Sequence, residues 1–133
     1  MAAIPAAAEL AKWDQAKVMA LATQLVTATD ALYQTVYKEQ DFAGTAGGVA
    51  DGFYDLRHTL RRVGEEVRHL DAELKAGKGH DATVGAWKHM MELVDDLNVD
   101  VKESFMPNDI TAALGKVEDL LGQLRPYYDP KST

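Results

Sequence analysis

Cysteine is absent from this chain of 133 residues. Without thiols the chain forms no disulfide, no thiolate-bound metal centre and no covalent c-type haem attachment. It also lacks any apolar run approaching the roughly 20 residues that a membrane-spanning helix needs. No segment shows the strict apolar–polar alternation of a half-buried strand. Together these absences favour an all-α protein held together by side-chain packing.

Basic residues are fewer than acidic ones, with 14 Lys and Arg against 21 Asp and Glu and a formal net charge of −7. Phosphate backbones are bound by a dominant basic face, so we expect no general nucleic-acid binding. The start, Met1 to Ala8, lacks the charged and apolar regions of a complete signal peptide. Cytoplasmic and exported locations remain equally open. The length favours one domain, 1–133.

Four segments carry the apolar spacing of amphipathic helices. The clearest lies between Val49 and Leu74, where apolar residues recur at alternating intervals of four and three. Glycines at 44–48 and 77–79, together with Pro107, predict the connections. We predict helices over about 5–40, 49–76, 82–105 and 109–125 and an irregular tail over 126–133. The fold most consistent with this pattern is an antiparallel, up-down-up-down four-helix bundle.

The first predicted helix is apolar over an unusually wide arc. A second stripe beside its main one comprises Met19, Ala22, Val26, Tyr33 and Tyr37. Because a helix that is apolar on two sides needs two partners, we predict a homodimer through this stripe. The alternative is that the wide arc faces two neighbouring helices within one bundle. The first predicted helix would be about 54 Å long, whereas the fourth would be about 26 Å long.

We expect no cofactor in the core. A di-iron bundle uses two Glu-x-x-His pairs, whereas this chain has one, ending at His69, and its last helix offers no histidine to haem. Met19 and Met90 are more typical of core packing than of haem ligation. We predict no metal site; Glu65, Glu66, His69 and Glu73 form only a weak surface candidate for a divalent cation, more typical of adventitious than of functional binding. A haem- or metal-binding bundle with non-standard ligands remains an alternative.

The four histidines do not lie on apolar stripes. His58, His69 and His89 are each displaced from the stripe of their helix, so we expect them to be exposed. His80 is expected in a loop, before Asp81 as the cap of the third helix.

A basic strip on the second helix is the main candidate for function. Its residues are Arg57, His58, Arg61, Arg62 and Arg68. On an acidic chain such a strip indicates an anionic partner. We therefore predict a non-catalytic, homodimeric binding protein that contacts a protein partner or a small ligand.

The segment His58-Thr59-Leu60-Arg61 is similar to the H-x-L-K-G motif of histidine phosphotransfer domains, which are small helical bundles. The resemblance implies an exposed, phosphorylated His58, positive charge near the phosphoryl group, and a receiver domain as partner. Arg62 stands where that family has a small residue, and the second helix is shorter than in the family. Phosphotransfer through His58 is therefore the alternative to the binding protein.

Overall fold

The computed structural model describes residues 10–43, 49–102 and 108–129, with side chains over 10–38, 56–101 and 108–129. Four helices are present, α1 (Gln15–Ala43), α2 (Val49–Lys75), α3 (His80–Lys102) and α4 (Asn108–Tyr128). Within the described residues there is no strand. The predicted all-α four-helix bundle is confirmed.

Contacts between neighbouring helices show that they run antiparallel. Thr23 of α1 contacts Asp71 of α2, and Asp30 contacts Arg68. Residue numbers therefore increase along α1 in the direction in which they decrease along α2. The same reversal relates α2 to α3 and α1 to α4. α1 packs against both α2 and α4, and α2 packs also against α3. Of the helix pairs in contact, α3 and α4 pack least extensively.

The apolar stripes form one continuous core. On α2 the stripe residues from Leu56 to Leu74 are almost completely buried. Val49 and Phe53, which begin that stripe, lie outside the residues whose side chains are described. Trp87 is the largest fully buried side chain, and it fills the wider space between α3 and α4.

Most of the wide apolar arc of α1 is covered by α2 and α4, the two helices that pack against it. Ala22 is fully buried, and Met19, Val26 and Tyr33 are partly buried against the core. Only Tyr37 of the second stripe is exposed, at 42%. Ala22 is therefore closed to a second copy, and the predicted dimer would depend on the other four residues.

The first helix begins at Gln15, so the predicted start near residue 5 is wrong over residues 10–14, which are not helical. Asp14 is the N-cap: its Oδ1 accepts a hydrogen bond from the backbone N–H of Lys17 at 3.1 Å. Residues 1–9 lie outside the described residues. With 29 residues in α1 and 21 in α4, the helices are about 44 and 32 Å long, which removes most of the predicted mismatch.

The fourth helix continues through Pro126 to Tyr128, so the tail predicted from 126 begins too early. Proline removes one helical hydrogen bond. Here Tyr127 and Tyr128 follow it and are buried, at 9% and 3% exposure, which favours continuing the helix. The backbone N–H of Asp129 still donates to the carbonyl of Arg125, at 2.8 Å.

The connection between α2 and α3 is short. Gly77 has φ +89°, and the backbone N–H of Lys78 donates to the carbonyl of Glu73 at 3.2 Å, as in a glycine-terminated helix. α3 begins at His80, so Asp81 lies inside the first turn and is not the predicted cap. The predicted end of that helix at 105 lies outside the described residues. None of the helices, as far as they are described, is long and apolar enough to span a membrane.

Candidate functional site

The basic strip of α2 is divided between two sides of the helix. Thr59 and Glu66 bond to α3, through Asp100 at 2.9 Å and His89 at 2.9 Å. Arg62 shares their side, because residues three and four apart lie on one helical face. The residues of the other side adjoin α1: Arg57, Arg61, Gly64 and Arg68.

A small space of about 120 Å³, the cleft, lies between α1 and α2. The described residues that line it are Tyr33, Arg57, His58 and Arg61. His58 is exposed, as predicted. The Arg57 guanidinium lies 5.1 Å from the centroid of the Tyr37 ring, a cation–π contact that orients it beside the cleft.

A larger space of about 350 Å³, the groove, continues along the same two helices. Its lining comprises Thr29, Asp30, Tyr33, Gln34, Leu60, Arg61, Gly64 and Arg68. Because Tyr33 and Arg61 line both spaces, the cleft and the groove are adjacent. Together they form a site with a charged compartment and a mixed polar and apolar one.

The charges of the two compartments differ. In the groove, Asp30 pairs with Arg68, so these two charges offset one another. Arg61 makes no ion pair with any described residue, and no carboxylate is among the described residues that line the cleft. The described lining of the cleft is therefore basic, on a chain whose net charge is −7.

Gly64 keeps the groove open. A Cβ added there would meet only the Arg68 guanidinium, at 3.8 Å, which is an ordinary van der Waals contact. Sequence reasoning assigned no role to Gly64 or Asp30, and it assigned Tyr33 to a dimer interface. The spacing of 30, 33, 34 and 37 does place these positions on one face of α1. Only the packing of the helices shows that this face adjoins the basic side of α2.

A second group of aromatic side chains, the end cluster, closes the opposite part of the bundle. It comprises Trp13, His80, Trp87, Tyr127 and Tyr128. The Trp87 ring stacks on that of Tyr128 with centroids 5.0 Å apart, and the Trp13 ring meets the Tyr128 ring edge-on at 5.4 Å. The segment before α1 is also tied here, since the Ala11 N–H donates to the Pro126 carbonyl at 2.7 Å.

His80 belongs to the end cluster, which corrects its assignment to a loop. It is the first residue of α3, its side chain is 27% exposed, and its ring stacks on Tyr128 at 5.7 Å. Nδ1 lies 2.9 Å from Asp81 Oδ1. Nε2 is buried and has no hydrogen-bond partner in the part of the chain that is described.

Tyr128 is hydrogen-bonded within the end cluster. Its hydroxyl lies 2.9 Å from Thr83 Oγ1, and Thr83 donates its own proton to the Gly79 carbonyl at 2.8 Å. Tyr128 is therefore the donor to Thr83. Burial raises the pKa of the Tyr128 hydroxyl above its ordinary value.

The residues named as a weak surface candidate for a cation on α2 do not form a ligand cluster. Glu66 bonds to His89 Nδ1, and Glu73 lies between Lys78 and His69, so the predicted ligands do not converge. Among the described residues, no group of three or more His, Asp or Glu could hold a metal ion. The hydrogen bond from Lys78 lowers the pKa of Glu73. His69 and His89 are exposed, as predicted.

The methionines considered as haem ligands belong to the packing. Met90 is completely buried in the core, and Met19 is packed against it. Both methionines therefore pack as apolar core side chains.

No protein-family model, curated protein or solved structure shows significant similarity to this chain.

Proposed function

We propose that this chain is a non-catalytic helical-bundle protein that binds an anionic partner at the cleft between α1 and α2. The observation that carries the proposal is the gathering of Arg57, His58 and Arg61 around one small space. Guanidinium groups bind carboxylate and phosphate oxygens through paired, charge-assisted hydrogen bonds. A cleft with such groups in its lining, and with no carboxylate among its described residues, favours an oxyanion.

The opposite end of α2 lacks this property. Lys75 pairs with Asp71 at 2.8 Å, and Lys78 pairs with Glu73. Because these basic groups already have acidic partners, an added anion would have to displace a carboxylate. Arg61 has no such partner among the described residues, so it is available to a ligand.

Titration with inorganic phosphate at low ionic strength tests the proposal. Amide resonances followed by NMR are expected to shift around Tyr33, His58 and Arg61. Loss of a charge-assisted contact in Arg61→Gln should weaken binding about tenfold. Arg125→Gln removes the same charge from an exposed position on α4 and should leave binding unchanged. Equal weakening in the two variants, or the absence of shifts at the cleft, would refute a specific anion site.

Phosphotransfer through His58 is the second candidate. The observation that favours it is that an exposed imidazole shares a cleft with two arginines, which suits a phosphoryl group. In that reaction a ring nitrogen of His58 bonds to phosphorus as the P–O bond of a donor aspartyl phosphate breaks, and the donor carboxylate leaves. Incubation with a phosphorylated receiver domain tests it. Label that fails to reach the chain, or that also reaches His58→Gln, rules it out.

We keep self-association through α1 as a further proposal. Met19, Val26 and Tyr33 retain part of their exposure, and Tyr37 is exposed. Because Tyr33 also lines the cleft, a second copy bound there would compete with an anion. Sedimentation at several concentrations is expected to show a dimer that inorganic phosphate disfavours. A monomer at every concentration would exclude it.

A further inference from the structure

We infer that the partner is a small molecule, a phosphate monoester whose phosphate group enters the cleft and whose planar, uncharged body lies in the groove. This inference rests on the proposed anion-binding function and specifies its ligand. It depends on three features of the two compartments: their sizes, their charges and their walls.

The sizes match a small ligand with one compact end. The cleft, at about 120 Å³, has the volume of about four liquid water molecules, which suits a single tetrahedral oxyanion. The groove, at about 350 Å³, lies within the usual range for small-molecule pockets. Since Tyr33 and Arg61 line both, one molecule can occupy the two compartments at once.

The charges separate the two ends of the ligand. The cleft presents the permanent charge of Arg61, beside the Arg57 guanidinium held against Tyr37 and the exposed His58 imidazole. A phosphate dianion, with three terminal oxygens, meets this set better than a carboxylate with one charge and two oxygens. In the groove Asp30 and Arg68 offset one another, and the remaining charge is that of Arg61, which the groove shares with the cleft and which the phosphate group would engage. An uncharged body therefore fits the rest of the groove.

The walls of the groove favour a planar body. The Tyr33 ring supplies an aromatic wall on which a flat ring can stack. Leu60 adds apolar surface, and the missing side chain of Gly64 leaves room above α2. The side-chain amide of Gln34 can hydrogen-bond to the polar edge of such a ring.

An acidic protein segment would use the strip differently. Spread across α2, it would contact Arg62 as well as Arg61, which are adjacent and both exposed. A small ligand in the cleft and groove contacts Arg61 alone, because Arg62 lines neither space. Arg62→Gln is therefore a matched control, with the same change of charge one residue away.

Calorimetric titration of the full chain with three probes tests the inference: inorganic phosphate, adenosine 5′-monophosphate and adenosine. We expect the monophosphate to bind at least about tenfold more tightly than inorganic phosphate, because stacking and burial add to the ionic contact. Adenosine should bind more weakly than either. Arg61→Gln should weaken both phosphates about tenfold, and Arg62→Gln should change neither.

Gly64→Ala separates the compartments. The added methyl group meets no atom closer than 3.8 Å, so the fold should be retained while the groove narrows. The monophosphate should bind about threefold or more weakly, and inorganic phosphate should bind as before. Tyr33→Leu, which removes the ring and keeps an apolar side chain, should act in the same way.

The outcomes distinguish the inference from the proposed function. Equal affinity for the monophosphate and inorganic phosphate would overturn the inference and leave the anion site standing. Binding that Arg61→Gln and Arg62→Gln weaken equally would overturn it in favour of an extended acidic partner. Failure of both phosphates to bind would overturn the anion site as well.

Discussion

The end cluster and the cleft use the same kinds of residue under opposite conditions. Both contain a histidine and tyrosine, with two tryptophans in the end cluster and two arginines at the cleft. In the end cluster Tyr128 is 3% exposed and hydrogen-bonded to Thr83. Beside the cleft, Tyr37 is 42% exposed and lies under the guanidinium of Arg57.

The difference in burial indicates which region contributes to stability and which is available for ligand binding. Rings that lose their contact with water on folding contribute directly to the free energy of folding. Rings and charges that remain exposed contribute little to that free energy, because water solvates them in both states. We therefore expect substitutions in the end cluster to change stability and substitutions at the cleft to change ligand binding.

The largest expected effect comes from Trp87→Ala. Trp87 is fully buried between α3 and α4, and its removal leaves a large cavity. We expect a loss of about 3–5 kcal/mol in the free energy of unfolding, measured by urea denaturation. Trp87→Phe, which keeps a ring against Tyr128, should lose less. A loss below about 1 kcal/mol in Trp87→Ala would show that the end cluster does not dominate stability.

The two histidines give the sharpest form of the comparison. His80→Ala removes ring contacts with Trp13 and Tyr128, at 5.8 and 5.7 Å, and should lower the free energy of unfolding by about 1–2 kcal/mol. His58→Ala removes an exposed ring and should stay within about 0.5 kcal/mol of the parent. Thermal or urea unfolding of both variants at pH 8 checks this. Equal losses in the free energy of unfolding for the two variants would show that the end cluster and the cleft do not differ in their contribution to stability.

Tyr128 should make the end cluster sensitive to alkali. Because burial raises its pKa in the folded chain above that in the unfolded chain, the unfolded state releases this proton first as the pH rises. The stability contributed by the neutral hydroxyl is thus fully present below a pH of about 10 and lost above it. Urea denaturation from pH 8 to 11 should show a shallower decline in Tyr128→Phe. Parallel declines would exclude Tyr128 as the source.

The smallest effect is expected at the Lys78–Glu73 pair. The hydrogen bond from Lys78 lowers the pKa of Glu73 in the folded chain. Its contribution to stability is therefore present above the ordinary glutamate pKa and is lost as the pH falls through the folded value. Lys78→Gln should make the dependence of unfolding on pH slightly flatter below pH 5. An unchanged acid profile would mean that solvent screens the pair completely.

Much of the fold follows from local spacing along the chain. The stripe from Leu56 to Leu74 predicts the buried face of α2 correctly, because a 3.5-residue repeat brings its members to one side of a helix. The start of α1 is predicted wrongly, because the apolar spacing does not show that Asp14 caps the helix. The end of α4 is also missed, because the burial of Tyr127 and Tyr128 outweighs the local signal of Pro126.

The site is predictable only in part, because local spacing does not show which helices pack beside one another. The basic strip on α2 is visible in the sequence, and the exposure of His58 follows from its displacement from the stripe. The division of that strip between α1 and α3 is not visible. It depends on which helix packs beside each face, and on contacts such as that between Thr59 and Asp100.

Local spacing along the sequence is enough to predict an all-α bundle, the inward-facing stripe of α2 and the exposed basic charge on that helix. These properties depend on residues three and four positions apart, which a helix brings together regardless of its neighbours. Only the tertiary structure decided that Tyr33 faces Arg61 across the cleft and that His80 is covered by Trp13 and Tyr128. Those partners are distant along the chain, and helix packing alone brings them into contact.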